Sequence, residues 1–275
     1  MEISIVRPDT TLDFNDLAPY IYEAERGIVE PHNQLVRLSL GVTDPDARSN
    51  HVYSDAQLDD YHLDGVMRWK PPVQMRVRAR FSHSVDALRG TAGFGFWNDP
   101  FGMTGRKSGL LGVRLPQAIW YFFASAPSNM QLARDVPGFG WKAAILDASS
   151  PLAVLLMPFA PLGMLAFRWQ GLYRQLWPVA QRLLKIDEMP LTTALDSWHD
   201  YELVWGVDDA RFIVDGKTIL TTHYAPRGPL GFVAWIDNQF MVATPQGQFR
   251  HGVVATGRQW IEFTRLEVAA GAVIS

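Results

Sequence analysis

Apolar and polar residues alternate along several short segments of this chain, which is typical of β-strands with one solvated face. In Val73–Phe81 an apolar side chain stands at every second position, and Gln74 and three arginines stand between them. The last such segment, Gln259–Val268, has a similar alternation, and a further strand is predicted at Leu35–Val42. These segments predict strands that bury one face against a core.

Other segments are apolar throughout and are bounded by turn-forming residues. Three of them predict strands that are buried on both faces, namely Ala92–Trp97, Ala118–Ala124 and Trp141–Leu146. Asp215-Gly216 separates the strands Arg211–Val214 and Lys217–Thr221 and predicts a two-residue type I′ hairpin. Many short strands between turns favour a sandwich over βαβ units. We therefore expect one nearly all-β domain over residues 1–275.

The segment Ser149–Leu191 departs from this pattern and predicts a helical insertion at about residues 150–190. Pro151–Phe167 carries no charge, but prolines and a glycine interrupt it, so a membrane span of about 20 apolar residues is not expected. From Leu165 onward apolar residues recur at spacings of three and four, which indicates an amphipathic helix. This stripe consists of Leu165, Trp169, Leu172, Tyr173, Leu176, Ala180, Leu183 and Leu184. Pro178 is expected to kink or interrupt that helix.

The insertion is basic, whereas the rest of the chain is acidic. Residues 151–186 hold four basic side chains and no acidic one, and the whole chain has a formal net charge of −3, so the remainder carries −7. Two interpretations follow. The insertion either packs across one mouth of the sandwich as a lid, or makes peripheral membrane contact through 151–186. For a β domain the packed insertion is favoured.

Composition narrows the functional classes. The chain has 275 residues, enough to bury a large core, and no cysteine, so disulfides and thiolate chemistry are excluded. The net charge of −3 gives no general attraction to nucleic acid, which is not expected as a partner. The first residues lack a basic segment followed by an apolar one, so a cytoplasmic location is expected.

Two neighbouring segments resemble a known family. Trp198-His199-Asp200-Tyr201-Glu202-Leu203-Val204-Trp205 and the hairpin that follows it are similar to signature strands of glycoside hydrolase family 16 and related concanavalin A-like lectins and glucanases. Gln74–Phe81 followed by Gly90–Trp97 resembles two further strands of that family, and Pro229–Phe232 and Ile261–Val268 resemble its closing strands. The resemblance covers roughly half of the chain. It implies a concanavalin A-like jelly-roll β-sandwich and does not by itself assign an activity.

The catalytic motif of that family is not found. Glu-x-Asp-x-x-Glu on one strand places carboxylates on the same face of a cleft, and retaining enzymes hold two of them roughly 5 Å apart. The strand after Trp97, beginning at Gln117 and ending at Phe123, contains no carboxylate, and Glu-x-Asp occurs nowhere in the chain. We therefore expect no hydrolysis of β-glucans by that mechanism.

A ligand site is predicted where aromatic residues meet polar ones at strand ends. Strand alternation turns some of the aromatic side chains away from the core, and rings beside amide or carboxyl groups suit a sugar or an apolar ring. The predicted ligand-binding residues are Trp97, Asn98, Asp99, Trp120, Trp235 and Asp237, with Asp99 and Asp237 as catalytic candidates. The alternative is that Trp97 belongs to the core and is followed by an ordinary Asn-Asp-Pro turn.

Three functional hypotheses remain open. The first is a non-hydrolytic binding module for a sugar or another ring-shaped small molecule. The second is an enzyme of another type that acts on a lipid- or terpenoid-like molecule through a single Asp with a raised pKa. The third is a peripheral membrane protein whose β domain is an anchored scaffold. No cofactor is expected. An acidic stretch could hold a structural Ca²⁺, but its spacing fits no EF-hand and a solvated loop is favoured. Its residues are Asp55, Asp59, Asp60, His62 and Asp64.

Overall fold

The computed structural model describes residues 4–5, 17–32, 35–42, 52–100 and 115–271. Within these residues the strands are β1 (Ser4–Ile5), β2 (Ile21–Ala24), β3 (Gly27–His32), β4 (Leu35–Leu40), β5 (Asp55–Asp59), β6 (Val73–Phe81), β7 (Thr91–Trp97), β8 (Gln117–Ala124), β9 (Asn129–Met130), β10 (Gly140–Asp147), β11 (Asp187–Pro190), β12 (His199–Trp205), β13 (Ala210–Val214), β14 (Lys217–Thr222), β15 (Gly231–Asp237), β16 (Gln239–Ala243), β17 (Phe249–Val253) and β18 (Gln259–Ala270). The helices are α1 (Pro151–Leu156), α2 (Ala160–Ala166) and α3 (Gln170–Leu183), with short 3-10 turns at Ala18–Tyr20 and Met157–Phe159.

Two large sheets, almost entirely antiparallel, pack face to face. The eight-stranded sheet has the order β14-β13-β12-β6-β18-β4-β3, and β1 pairs with β18. The seven-stranded sheet has the order β11-β10-β8-β7-β15-β5-β2. A third, small sheet, β17-β16-β9, joins strands from distant parts of the chain. The predicted jelly-roll β-sandwich with one helical insertion is confirmed.

The core lies between the two large sheets and follows the predicted alternation. Every second side chain of β6, from Val73 to Phe81, is buried, and Ile119, Tyr121 and Phe123 of β8 oppose them from the other sheet. The Tyr121 hydroxyl accepts a hydrogen bond from the Ile213 amide at 3.0 Å and lies 2.9 Å from the Ile213 carbonyl oxygen. A β-bulge beside Ile213 interrupts the ladder there, so Tyr121 satisfies backbone groups that the bulge displaces.

Most strand predictions agree with the structure to within two residues, but the acidic stretch does not. Asp55–Asp59 is a strand of the seven-stranded sheet, between β15 and the edge strand β2, and Asp55, Asp59 and Asp60 are at most 5% exposed. The interpretation of this stretch as a solvated loop was therefore wrong. The hairpin at Asp215-Gly216 is as predicted, because both residues have positive φ angles, 49° and 76°.

The insertion holds helical elements between residues 151 and 183, with a turn at 167–169, and is followed by strand β11, which pairs with β10. Helix α3 runs through Pro178 without interruption, so of the predicted kink or interruption at this residue the interruption was wrong. Pro178 removes only the hydrogen bond to the carbonyl of Arg174, an exposed residue whose backbone water can reach. Among the described residues, none of the helices has the length and hydropathy needed to cross a bilayer.

Candidate functional site

A pocket of about 110 Å³ lies on the face of the seven-stranded sheet that is turned away from the core, and we call it the aromatic pocket. Strands β5, β15, β7 and β8 form its floor, and β9 and β16 of the small sheet form a side wall. Its described lining residues are Tyr53, Asp55, Gln57, Thr91, Trp97, Trp120, Phe122, Met130, Val233, Trp235, Asp237, Gln239, Phe240 and Met241.

Four rings form a continuous aromatic surface in this pocket. The ring centroid of Trp120 lies 5.9 Å from that of Trp97, 5.2 Å from that of Phe122 and 5.4 Å from that of Trp235. The Trp235 indole donates a hydrogen bond to Thr91 Oγ1 at 2.9 Å, and the Trp97 indole donates one to the Tyr61 hydroxyl. These bonds fix the orientations of two rings, so the surface is formed before any ligand arrives.

Glycines on β7 make room for the indole rings. A Cβ atom at Gly93 would lie 2.9 Å from the Trp235 ring and 2.3 Å from the Tyr121 carbonyl oxygen. At Gly95 it would lie 2.5 Å from the Trp120 backbone and Cβ. Because β7 lies between β15 and β8, these two positions let both tryptophans approach each other across the strand. The Gly-x-Gly pair therefore belongs to the floor of the aromatic pocket.

One end of the pocket carries a pair of carboxyl groups. Asp55 of β5 and Asp237 of β15 stand directly opposite each other in the antiparallel ladder, and both are buried. Asp237 Oδ1 accepts hydrogen bonds from Thr91 Oγ1 at 2.8 Å and from the Gln239 amide at 2.9 Å. Asp55 Oδ2 accepts one from the Tyr53 hydroxyl at 2.7 Å. Among the described residues Asp55 Oδ1 has no hydrogen-bond partner.

Burial controls the protonation of this pair. Burial raises the pKa of Asp55 well above its usual value, and the charge of Asp237 raises it further. Burial also raises the pKa of Asp237, to about 6, although the hydrogen bonds from Gln239 and Thr91 favour its ionised form. Two adjacent buried carboxyl groups do not both ionise readily. Asp237 therefore loses its proton before Asp55 does, because Asp237 accepts more hydrogen bonds in its ionised form.

The structure brings four of the six predicted ligand-binding residues together. Trp97, Trp120, Trp235 and Asp237 all line the aromatic pocket. Asn98 is buried, and its side chain accepts a hydrogen bond from the Gln117 amide at 3.0 Å and donates one to the Leu115 carbonyl at 2.7 Å. Its amide group therefore joins the ends of β7 and β8.

Asp99 and Asp237, the two catalytic candidates, occupy different environments. Asp99 is partly exposed, has a φ angle of 41° after the end of β7, and is not among the described residues that line the pocket. Asp237 is the last residue of β15, a strand whose residues are all buried.

Tyr53, Asp55 and Gln57 line the pocket, but the sequence did not predict them as ligand-binding residues. A signal was present, because Asp55, Gln57 and Asp59 alternate with the apolar Ala56 and Leu58. Three carboxylates close together suggested a surface loop and concealed this period of two.

The other acidic groups of this stretch support the backbone. Asp59 Oδ1 accepts hydrogen bonds from the amides of Tyr61 and His62, at 2.9 and 2.6 Å. Asp60 accepts one from the Phe232 amide at 3.0 Å, and burial raises its pKa to about 7. Within the described ranges, no group of three or more His, Asp or Glu side chains is placed to hold a metal ion. The structure does not test the less favoured alternative, a structural Ca²⁺ in this acidic stretch.

Comparisons with known proteins identify structures of similar architecture. No protein-family model and no curated protein matches the sequence. The β-glucanase of Bacillus licheniformis is 10% identical, with 99% of this chain and 100% of that chain covered and a TM-score of 0.46. A lichenase from a mouse hindgut metagenome is 10% identical (93% and 94% covered, TM-score 0.46). The alginate lyase AlyC3 in complex with dimannuronate is 11% identical (97% and 95% covered, TM-score 0.43). Likenesses of this degree assign no ligand and no activity to the chain.

Proposed function

We propose that the aromatic pocket binds one small ring-shaped ligand, a sugar or an apolar ring, and that the chain is a binding module without glycan hydrolase activity. The observation that carries this proposal is the continuous surface formed by Trp97, Trp120, Phe122 and Trp235. Aromatic faces stack on the apolar faces of sugar rings and on other flat or cyclic molecules.

The polar end of the pocket restricts the ligand further. Asp55, Asp237, Gln57 and Gln239 lie beside the rings, and no Lys or Arg is among the described lining residues. A ligand that presents hydroxyl groups, which both donate and accept hydrogen bonds, satisfies Asp55 Oδ1 whether or not it is protonated, whereas an anionic ligand meets carboxyl groups without a compensating cation. We therefore expect a neutral ligand with hydroxyl groups at one edge.

Tryptophan fluorescence and calorimetry with a panel of ligands test this proposal. The panel contains neutral mono- and oligosaccharides, their uronic-acid counterparts, and cyclic alcohols. Trp120→Ala is expected to weaken binding of a neutral ligand at least about tenfold, because it removes the central ring of the surface. Trp260→Ala is the matched control, since Trp260 lies on the outward face of the eight-stranded sheet under Arg37 and Arg80. Equal losses in both variants would contradict the proposal. Release of reducing ends from lichenan would contradict its non-hydrolytic part.

A second candidate function is acid–base catalysis by the carboxyl pair. The specific observation in its favour is that Asp55 and Asp237 are opposed, buried and in the pocket. A protonated Asp55 could donate a proton to a bound molecule while an ionised Asp237 accepts one, as two carboxyl groups in different environments do in many enzymes.

A ligand that co-purifies with the protein can be used to distinguish binding from catalysis. Native mass spectrometry of protein purified directly from cells identifies that ligand, which is then incubated with wild type and with Asp237→Asn. Catalysis predicts a changed product with wild type and recovery of the unchanged ligand with the variant. Unchanged ligand from both proteins would reject the catalytic candidate and leave the binding function.

A further inference from the structure

The helical segment, residues 151–186, is attached to the sandwich by one face of α3. Tyr173 and Trp177 are its buried side chains on that face, and the Trp177 indole donates a hydrogen bond to the Leu132 carbonyl at 3.0 Å. The cluster around them comprises Ile186, Leu132, Leu146, Phe167, Ala180 and Leu184. The base of the segment is closed by an ion pair of 2.7 Å between Lys185 Nζ and Asp147. The orientation of the segment on the sandwich is therefore fixed.

The remainder of the segment leaves its apolar side chains exposed. Helices α1 and α2 and the 3-10 turn between them contain no buried residue, although residues 151–167 carry no charge. Thirteen large hydrophobic side chains in this region are exposed, namely Leu152, Val154, Leu155, Leu156, Met157, Phe159, Leu162, Met164, Leu165, Trp169, Leu172, Leu176 and Val179. Contiguous exposed apolar surface of this extent marks an interaction site.

The charges within the helical segment are all of one sign. Residues 151–186 include no Asp or Glu. Lys185 is paired with Asp147, but Arg168, Arg174 and Arg182 are exposed to solvent. An apolar helical surface with basic residues beside it is complementary to an anionic lipid surface, where the apolar side chains enter the acyl boundary and the guanidinium groups meet phosphate.

We propose that the helical segment docks the protein on an anionic membrane surface, with α1 and α2 immersed in the interface and the arginines at headgroup level. Helices α1 and α2 are apolar on every side, which suits immersion in lipid better than one flat contact with another protein. The ion pair and the buried face of α3 keep the sandwich on the aqueous side of the segment. Docking through this surface does not require that a ligand is bound in the aromatic pocket.

Vesicle flotation tests the proposal directly. Wild type is mixed with vesicles of phosphatidylcholine alone or with 30 mol% phosphatidylglycerol and centrifuged on a density gradient. Wild type is expected to float with the anionic vesicles and to be partly released by 0.5 M NaCl, because salt screens the arginines. Replacing Arg168, Arg174 and Arg182 by Gln is expected to lower the partition coefficient roughly fivefold for each residue.

Matched substitutions test the apolar part. Leu155→Glu with Leu162→Glu is expected to lower binding at least about tenfold with an unchanged melting temperature, because both side chains are exposed. The control is Ile28→Glu with Val207→Glu, which adds the same charge at two positions that are each 51% exposed outside the segment. Wild type that stays at the bottom of every gradient overturns the proposal. It is also overturned if the control loses binding equally, or if light scattering shows a lipid-free dimer that the Leu155/Leu162 variant dissociates.

Discussion

Replacing Asp237 by Asn tests the inference that the carboxyl pair carries a proton and costs stability when it ionises. The folded pKa of Asp237 is raised to about 6 by burial, above the unfolded value of about 3.9. The stabilising contribution of its protonated form is therefore fully present below about pH 4 and is lost as the pH rises through about 6. Asn keeps an oxygen that accepts from Thr91 and Gln239, and it has no carboxyl group that ionises.

The magnitude follows from the raised pKa. A change from about 3.9 to about 6, at about 1.4 kcal/mol per pH unit, corresponds to about 3 kcal/mol of unfolding free energy lost between pH 4 and pH 7. For a chain of this size that is about 6 °C in melting temperature. Asp237→Asn also removes the charge that helps to raise the pKa of Asp55. The loss of stability that ionisation of Asp55 causes at high pH is therefore smaller in the variant than in wild type. Asp147 and Asp215 have lowered pKa values, so their contributions change only at more acidic pH.

The assay is a series of thermal or urea unfolding curves from pH 4.5 to 8. Asp237→Asn is expected to be more stable than wild type by about 1 kcal/mol at pH 4.5, where part of the effect is already present, and by about 3 kcal/mol at pH 8. Asp208→Asn is the matched control, since Asp208 is exposed in the turn between β12 and β13, and its curve should run parallel to that of wild type. A variant that parallels wild type across the whole range would refute the argument, and one that is less stable at pH 8 would show that Asp237 is held in its ionised form.

Two further substitutions test the pocket floor and a buried ion pair. Gly93→Ala is expected to lower the free energy of unfolding by about 1–3 kcal/mol and to weaken ligand binding, because its Cβ displaces the Trp235 ring. Gly171→Ala is the control, since nothing lies within 4 Å of a Cβ there, and it should stabilise helix α3 slightly. Equal denaturation midpoints for the two variants would contradict this reasoning. Lys142→Met is expected to cost about 3–5 kcal/mol, because it leaves the carboxylate of Glu188 buried and unpaired, and a second change of Glu188 to Met should recover most of that loss in urea unfolding.

The sequence predicts the strands best where one face is polar and the other apolar. Val73–Phe81 agrees with the structure at both ends, because its arginines leave no doubt about which side chains are buried. The segment Asp55–Asp59 has the same period, but its polar side faces a pocket and is itself buried. Sequence patterns assign acidic residues to solvent by default, so a buried acidic face is the case in which this reasoning fails.

The candidate site could be predicted only in part, for reasons of register. Alternation along β7, β8 and β15 decides that Trp97, Trp120 and Trp235 lie on the outer face of the seven-stranded sheet, but the sequence pattern also allowed Trp97 to belong to the core. The pairing of Asp55 with Asp237 depends on which residues of β5 and β15 stand opposite each other. That register is set by the packing of the whole sheet and leaves no local mark in either segment.

In the helical insertion, the apolar pattern predicts the helix correctly but does not determine what its apolar face contacts. Pro158 and Pro161 seemed to interrupt the first part, yet each lies in the first turn of a helical element, where its missing N–H is not needed. The predicted apolar stripe of α3 combines Tyr173, which packs on the sandwich, with Trp169, which is exposed. Periodicity identifies an apolar face, but a protein core and a lipid surface produce the same periodicity. The charges distinguish these two environments. A contact with this acidic protein body would give the basic side chains carboxylate partners, as it gives Lys185 its partner Asp147. The exposed part of the segment holds basic residues and no acidic one, which suits an anionic lipid surface.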